Sequence, residues 1–422
     1  SGAFPARGAA ADPFTLGVAS GEPAATSLVL WTRLAPDPLR GGGMPQAPVE
    51  VSWLLAEDAA LRRPVRQGRV MAVADEAHSV HVEVGGLPPD RWYWYRFTAL
   101  GASSAVGRTR TAPAAGTVPR EMRIAVASCQ HYEHGFFAAH RHIAASAPDL
   151  VAFLGDYIYE ASWGRNLVRS HAGPTARTLA EYRDRHALYR ADADLQAAHA
   201  ACPWLVTWDD HEVSNDYAND TGEREQGETF LARRAAAYQA YWEHMPLSRA
   251  AKPAGPRARI FRRASFGGLA DLHVLDDRQY RDLQPCHRPG RGGATRVTEE
   301  ACPALNDPAR SLLGAEQEAW LDQGLRDGRA RWTLILQQTR MARLGGGRGA
   351  PVYWTDGWDG YPAARRRLLD RLAARRPGQG TPIVLGGDIH AFLAAELRQD
   401  FDRPETAPVA VELVTTSITS QN

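Results

Sequence analysis

LVAFLGDYIY (Leu150–Tyr159) runs through five apolar residues, turns on Gly155-Asp156 and closes on two tyrosines around an isoleucine. A short apolar run with a β-branched member, bounded by glycine, reads as a buried strand that ends where the polar residues begin. Four more segments have the same form: RIAVASC (Arg123–Cys129), PWLVTWDDHE (Pro203–Glu212), WTLILQQT (Trp332–Thr339) and TPIVLGGDIH (Thr381–His390). Buried strands separated by helical patterns make layered α/β sheets, and ligands of such sheets sit beyond the carboxyl ends of the strands. Cys129, Asp156, Tyr159, Asp210, His211, Asp388 and His390 are therefore expected to meet at one edge. A thiolate, carboxylates, a phenolate and imidazoles gathered without a cation would repel one another or resist ionising. More than one bound metal ion is the economical reading.

Composition bounds the possibilities. A chain of 422 residues is too long for one ordinary core, so two domains are expected. The 49 basic and 48 acidic residues leave a net charge of +1, which argues against a large electrostatic nucleic-acid footprint. With 44% hydrophobic residues, 12 Trp and 13 Tyr, the composition is globular. No stretch approaches the ~20 apolar residues of a membrane span. No signal peptide is read either: Ser1–Pro13 is small and polar, like the start of a processed chain. Cys286 and Cys302 bracket a loop rich in Gly, Pro and Arg, which would gain order from a disulfide in an oxidising compartment; two free thiols are the alternative. Cys202 reads as a small core residue.

The N-terminal third keeps a different rhythm. SLVLWTRL (Ser27–Leu34), PVEVSWLL (Pro48–Leu55), HSVHVEV (His78–Val84) and RWYWYRFTAL (Arg91–Leu100) alternate apolar and polar residues between turn signals. That pattern predicts an antiparallel β-sandwich of fibronectin III or immunoglobulin-like form, structural or docking in role. The Pro/Ala/Gly-rich stretch Thr111–Pro119 reads as a linker, dividing the chain into a sandwich over 1–113, a connection over 114–119 and a second domain over 120–422. Beyond it, amphipathic helices are expected over Gly135–Ser146, Leu179–Cys202, Glu228–Met245, Gly314–Gly328 and Pro362–Arg376, with Asp359 capping the last.

Three motifs carry the chemistry. In GDYIY, Asp156 could bridge two cations with the Tyr159 phenol in reach, a hard oxygen site suited to a trivalent ion. WDDHE sets two acids and a histidine after an apolar strand, poor core material unless paired. In GGDIH, the period of an extended chain points Asp388 and His390 to one side.

SCQ, GDYIYE, TWDDHEVSNDYA, LDDRQYRD, WDGYPAARRRLL, GGDIHAF and VELVTTSITS, with the opening FTLGVASGEPAATSLVLWTRL, resemble the PhoD-type alkaline phosphatases and phosphodiesterases over nearly the whole chain. These are relatives of the purple acid phosphatases and metallophosphoesterases, so the resemblance implies an αββα metallophosphoesterase-type catalytic domain. It also implies Fe³⁺ held by Cys129, Asp156, Tyr159 and His390, and Ca²⁺ held by Asp156, Asp210 and Asp388. Many metallophosphoesterases carry Asn-His and Gly-His-x-His where this chain has Asp210-His211 and Gly387-Asp388-Ile389-His390. Carboxylate in place of amide and imidazole moves preference from zinc-like ions toward Ca²⁺. Asn215 and Asp216 could reach a second Ca²⁺, although Ser214 and Asp216 depart from the family's acid and two amides. His211 would protonate the leaving group or bind the transition state while a metal-activated hydroxide attacks; simply holding Asp210 in place is its bland alternative. Arg169 and His171 are candidate phosphate contacts, and LDDRQYR and WDGYP are read as bracing the site or capping helices.

The resemblance implies a secreted or periplasmic monomer acting on small-molecule phosphate monoesters and diesters for phosphate acquisition. A phospholipase D-type diesterase acting on phospholipid headgroups is the runner-up, and a noncatalytic binding protein the third reading. Relatives usually continue past TTSIT into a segment near the active site, so at Gln421-Asn422 either that segment is missing or the pocket is more open.

Overall fold

The structure is a computed structural model describing residues 12–344, 350–375 and 379–421; residues 1–11, which hold most of the expected processed start, lie outside them. All five apolar runs form strands, at Ile124–Ala127, Leu150–Phe153, Trp204–Val206, Trp332–Leu336 and Thr381–Gly386. The first three run parallel, with Leu150–Phe153 in the middle. The last two run parallel in a second sheet between Ala270–Val274 and Ala410–Val414, with Arg262–Phe266 and Leu393–Leu397 antiparallel at its edges.

The unalternating apolar runs follow from burial on both faces. Leu150, Ala152 and Leu205 from the first sheet share a core with Leu272, Val274, Leu334, Leu336 and Leu385 from the second. Their neighbours, one residue along, point the other way. Val151, Phe153, Trp204 and Val206 pack against helices Leu179–Arg190, Ala193–Ala201 and Gly227–His244, while Ile335 and Val384 pack against Gly314–Asp327 and Pro362–Ala373. The fold is mixed α/β with several sheets.

The four expected N-terminal strands form at Leu28–Arg33, Val49–Ala56, Ser79–Val84 and Trp92–Ala99. Leu30 and Val82 from one sheet share a core with Val51, Leu55, Tyr95 and Phe97 from another. Several strands escape the sequence reading, among them Pro64–Ala72, Gly107–Arg110 and Val18–Gly21. Val18–Gly21 pairs antiparallel with Leu28–Arg33 and touches Trp204 through Gly21, so the first sheet continues into the N-terminal third in the order 79–84, 28–33, 18–21, 204–206, 150–153, 124–127.

Two local expectations are corrected. Leu179–Cys202 is two helices, because the Asp192 carboxylate accepts from the amides of Asp194 and Leu195 and starts a new one. Asp359 does not cap the Pro362 helix; it pairs with Arg340 at 2.7 Å and Arg365 at 2.6 Å. Cys286 and Cys302 are disulfide-bonded, and Cys202 is a buried free thiol.

Candidate metal centre

The turns that leave the strands put the polar residues in place. Gly155 sits at φ +105°, and a Cβ there would lie 2.5 Å from the Asp209 Cβ, so only glycine lets Leu150–Phe153 reach Asp156. Cys129 (φ 59°), Asp156 (56°), Asp216 (51°), Asp388 (65°) and His390 (53°) all adopt the left-handed region, which side chains avoid unless the surroundings impose it. Here the surroundings do. The Cys129 amide donates to the Gly155 carbonyl at 3.1 Å and the Gln130 amide to the Asp156 carbonyl at 3.1 Å. Buried Glu212 accepts from the amides of Asp156 (3.1 Å), Tyr157 (2.7 Å) and Asp209 (2.8 Å), tying the second strand's exit to the third's.

Among the described residues, three groups converge closely enough to share a cation: Cys129, Asp156 and His390; Asp156, Asp210 and His211; and Asp210, Asp216 and Asp356. Asp156 belongs to the first two and Asp210 to the last two, so the groups form a chain. Tyr159 joins the first, its phenol donating to Asp156 Oδ2 at 2.9 Å and lying 3.1 Å from His390 Nε2. Burial, reinforced by Asp210, pushes the Asp156 carboxyl well above its usual range; burial, then Asp156, does the same to the Cys129 thiol and the Tyr159 phenol. Asp156 Oδ1 is buried with no hydrogen-bond partner. An orphaned carboxylate oxygen among donors that resist ionising together fits a bound cation.

His211 lies between two acids. Its amide donates to Asp210 Oδ1 at 2.8 Å, and its Nδ1 lies 2.7 Å from Glu160 Oε2. Although burial opposes the charge, Asp210, Glu160 and Asp156 hold the imidazole well above its ordinary pKa. The other Glu160 oxygen accepts from the Asn215 amide at 3.0 Å. Arg278, fully buried, pairs with Asp209 and Asp356 and sits 3.9 Å from Asp210; against burial, it and His211 hold Asp210 ionised. LDDRQYR thus braces the site, as its sequence suggested.

The other expected members land differently. Asp388 falls outside the three groups; burial, with Asp209 and Asp356 nearby, pushes its carboxyl well up. Asn215 is exposed and fixed through its amide. Arg169 is held within the protein: its Nε donates to the Tyr132 carbonyl at 2.7 Å, its guanidinium stacks 3.6 Å over the Tyr132 ring, and it pairs with Asp192. His171 is spent likewise, its buried ring bonded to Tyr189 Oη at 2.9 Å and stacked on His131. Glu160 and Asp356 were missed. Glu160 directly follows GDYIY and so carried a signal; Asp356, in TDGWDG, carried none beyond its charge.

The sequence matches two family models, "PhoD-like phosphatase" over residues 124–422 and "PhoD-like phosphatase, N-terminal domain" over residues 2–113. It is 48% identical over 417 residues to alkaline phosphatase D of Bacillus subtilis (strain 168), covering 97% of this chain and 70% of that protein. A solved structure of PhoD superposes with a TM-score of 0.92 at 47% identity, covering 98% of this chain and 79% of that one.

Proposed function

The chain belongs to the PhoD-like phosphatase family and is a phosphoesterase, and from that premise we propose an exported enzyme that hydrolyses small-molecule phosphate monoesters and diesters and so frees phosphate for uptake. The observation that carries the metal dependence is Asp156, shared by two donor groups with one buried oxygen unpartnered. Cys129, Asp156, Tyr159 and His390 would hold Fe³⁺, since phenolate and carboxylate oxygens suit a hard trivalent ion. Asp156 and Asp210 would hold Ca²⁺, with Asp388, which lies outside their group but feels the Asp210 charge, completing the set. Asn215 and Asp216 would stand at a second Ca²⁺ site beside Asp356. When bound, such cations supply Lewis acidity, lowering the pKa of a water and offsetting charge on the phosphoryl oxygens.

The protein's own groups supply the rest. His211 donates a proton from Nε2 to the departing alkoxide, while Glu160 holds its Nδ1. Arg278 keeps Asp210 ionised and in register. In the same reading the two parallel sheets and their helices form an αββα catalytic domain over 120–422, preceded by a β-sandwich over 1–113 and a linker over 114–119. The Cys286–Cys302 bond supports an oxidising compartment, periplasmic or extracellular. No helix among the described residues is long and apolar enough to cross a membrane.

Phospholipid headgroup cleavage is the second reading. Phe136, Trp163 and Phe392 are exposed, Trp163 packs edge-on against His134, and Phe392 lies two residues beyond His390. A panel of aryl phosphate, bis-aryl phosphate and phosphatidylcholine separates the two readings. The metal reading is tested on the native protein: it should contain iron and calcium, lose activity to chelators, and show a visible band that Tyr159→Phe removes. A colourless protein fully active with zinc alone would sink the iron assignment.

A further inference from the structure

The VTTSITS motif plays no part in the chemistry above, yet it wraps the outer side of the first donor group. After the Ala410–Val414 strand, the Ile418 amide donates to the Ser128 carbonyl at 3.0 Å and the Ser420 amide to the Cys129 carbonyl at 3.2 Å. Thr419 Oγ1 donates to the His131 carbonyl at 2.7 Å, and the Gln421 amide to His134 Nδ1 at 3.1 Å. The Gln421 carbonyl lies 2.8 Å from His390 Nδ1. A carbonyl only accepts, so the proton sits on Nδ1 and leaves the Nε2 lone pair facing Tyr159 Oη.

Ser420 goes further, because its hydroxyl touches a ligand atom. Oγ is buried, accepts from the His131 amide at 3.1 Å, and lies 2.8 Å from both the Cys129 carbonyl and Tyr159 Oη. A hydroxyl has one proton to give. The Cys129 carbonyl already accepts from the Ser420 amide, whereas a cation-bound phenolate is acceptor-only, and hydrogen bonds to charged acceptors are the stronger ones. We propose that Ser420 is a positioning residue of the metal centre: its hydroxyl donates to Oη of cation-bound Tyr159 and sets that ligand's orientation and donor strength, while Gln421 fixes the tautomer of His390. The inference rests on the ferric-tyrosinate reading.

The test uses the full chain loaded with Fe³⁺ and Ca²⁺. In Ser420→Ala the phenolate loses a stabilising donor, so the charge-transfer band moves to longer wavelength, and a competing chelator takes the iron about 10–100-fold more readily. Ser420→Thr, which keeps the hydroxyl, restores the band. Thr419→Val removes a hydrogen bond from the same segment without touching Tyr159, and leaves the band in place. If Ser420→Ala fails to fold, Ser420→Cys, with its weak S–H donor, must move the band in the same direction. A band unmoved by loss of the hydroxyl, or moved as far by Thr419→Val, overturns the role of Ser420. A colourless iron-loaded wild type overturns the ferric-tyrosinate reading itself, and this inference with it.

Discussion

At the scale of single residues, His211 is the one whose surroundings are most specific to chemistry. A buried imidazole ordinarily loses its proton, yet Asp210, Glu160 and Asp156 outweigh desolvation here and shift the group toward its protonated form, the one that can give a proton away. Glu160 binds Nδ1, so Nε2 is the nitrogen assigned to the leaving group. His211→Ala should lower turnover by about 10²–10⁴-fold on alkyl phosphates, with iron and calcium contents unchanged. The loss should shrink for nitrophenyl esters, whose leaving group needs no proton. Falling metal content would make His211 a ligand instead. Equal losses across leaving groups with metals intact would leave transition-state binding as its role. Asp210→Asn tests its neighbour: losing a charged oxygen should weaken calcium activation and favour softer divalent ions. An unchanged calcium dependence would remove Asp210 from the ligand set.

At the scale of elements, the Ala270–Val274 strand carries a side chain that the site does not explain. His273 is buried against Trp320 with both ring nitrogens unpartnered, and burial lowers its pKa to about 4. When folded it stays neutral; unfolded, it takes a proton below its ordinary value of about 6.5. Its contribution to stability is therefore full above that value and lost as pH falls toward about 4. His273→Leu should stabilise the protein by about 1–3 kcal/mol, with a larger gain near about pH 5 than near about pH 8; thermal melts at both pH values measure it, and an equal gain at both would remove the titration argument. The strand itself was missed as an apolar run because His273 and Asp271 interrupt it. The five unbroken runs were legible because they are buried on both faces, and Cys129, Asp156, Tyr159, Asp210 and His390 were legible because they directly follow strand ends. Asp356 and Ser420 were not, since only long-range folding brings loop residues to the ligands. For Arg169 and His171 a place in the right loop does not fix where a side chain points, and here aromatic stacking and the Tyr189 hydroxyl hold them.

At the scale of the whole molecule, the N-terminal third is built into the catalytic half. The six-stranded sheet crosses from Val18–Gly21 to Trp204–Val206, and side chains lock the crossing. Trp31, fully buried, donates through Nε1 to the Glu243 carbonyl at 3.0 Å and lies under the Arg190 guanidinium at 4.3 Å. Arg33 meets His244 at 2.7 Å, and His81 stacks on Trp242 with ring centres 4.0 Å apart. Domains joined only by a linker melt separately, because few contacts couple them. Here the N-terminal strands extend the shared sheet, and Leu16, Ala19, Trp31 and Ala35 share a core with Ala187 of helix Leu179–Arg190, so the two halves are coupled through a common interior. Calorimetry of the metal-free chain should therefore show one transition, with calorimetric and van't Hoff enthalpies in agreement. Trp31→Ala should cost about 3–5 kcal/mol and lower that single melting temperature for probes in both halves together. Two resolved transitions, or a variant that lowers the N-terminal signal alone, would mean the shared sheet is a contact surface between independent units; the metal centre would then stand on the catalytic half by itself, and the N-terminal third would return to the docking role its alternating strands first suggested.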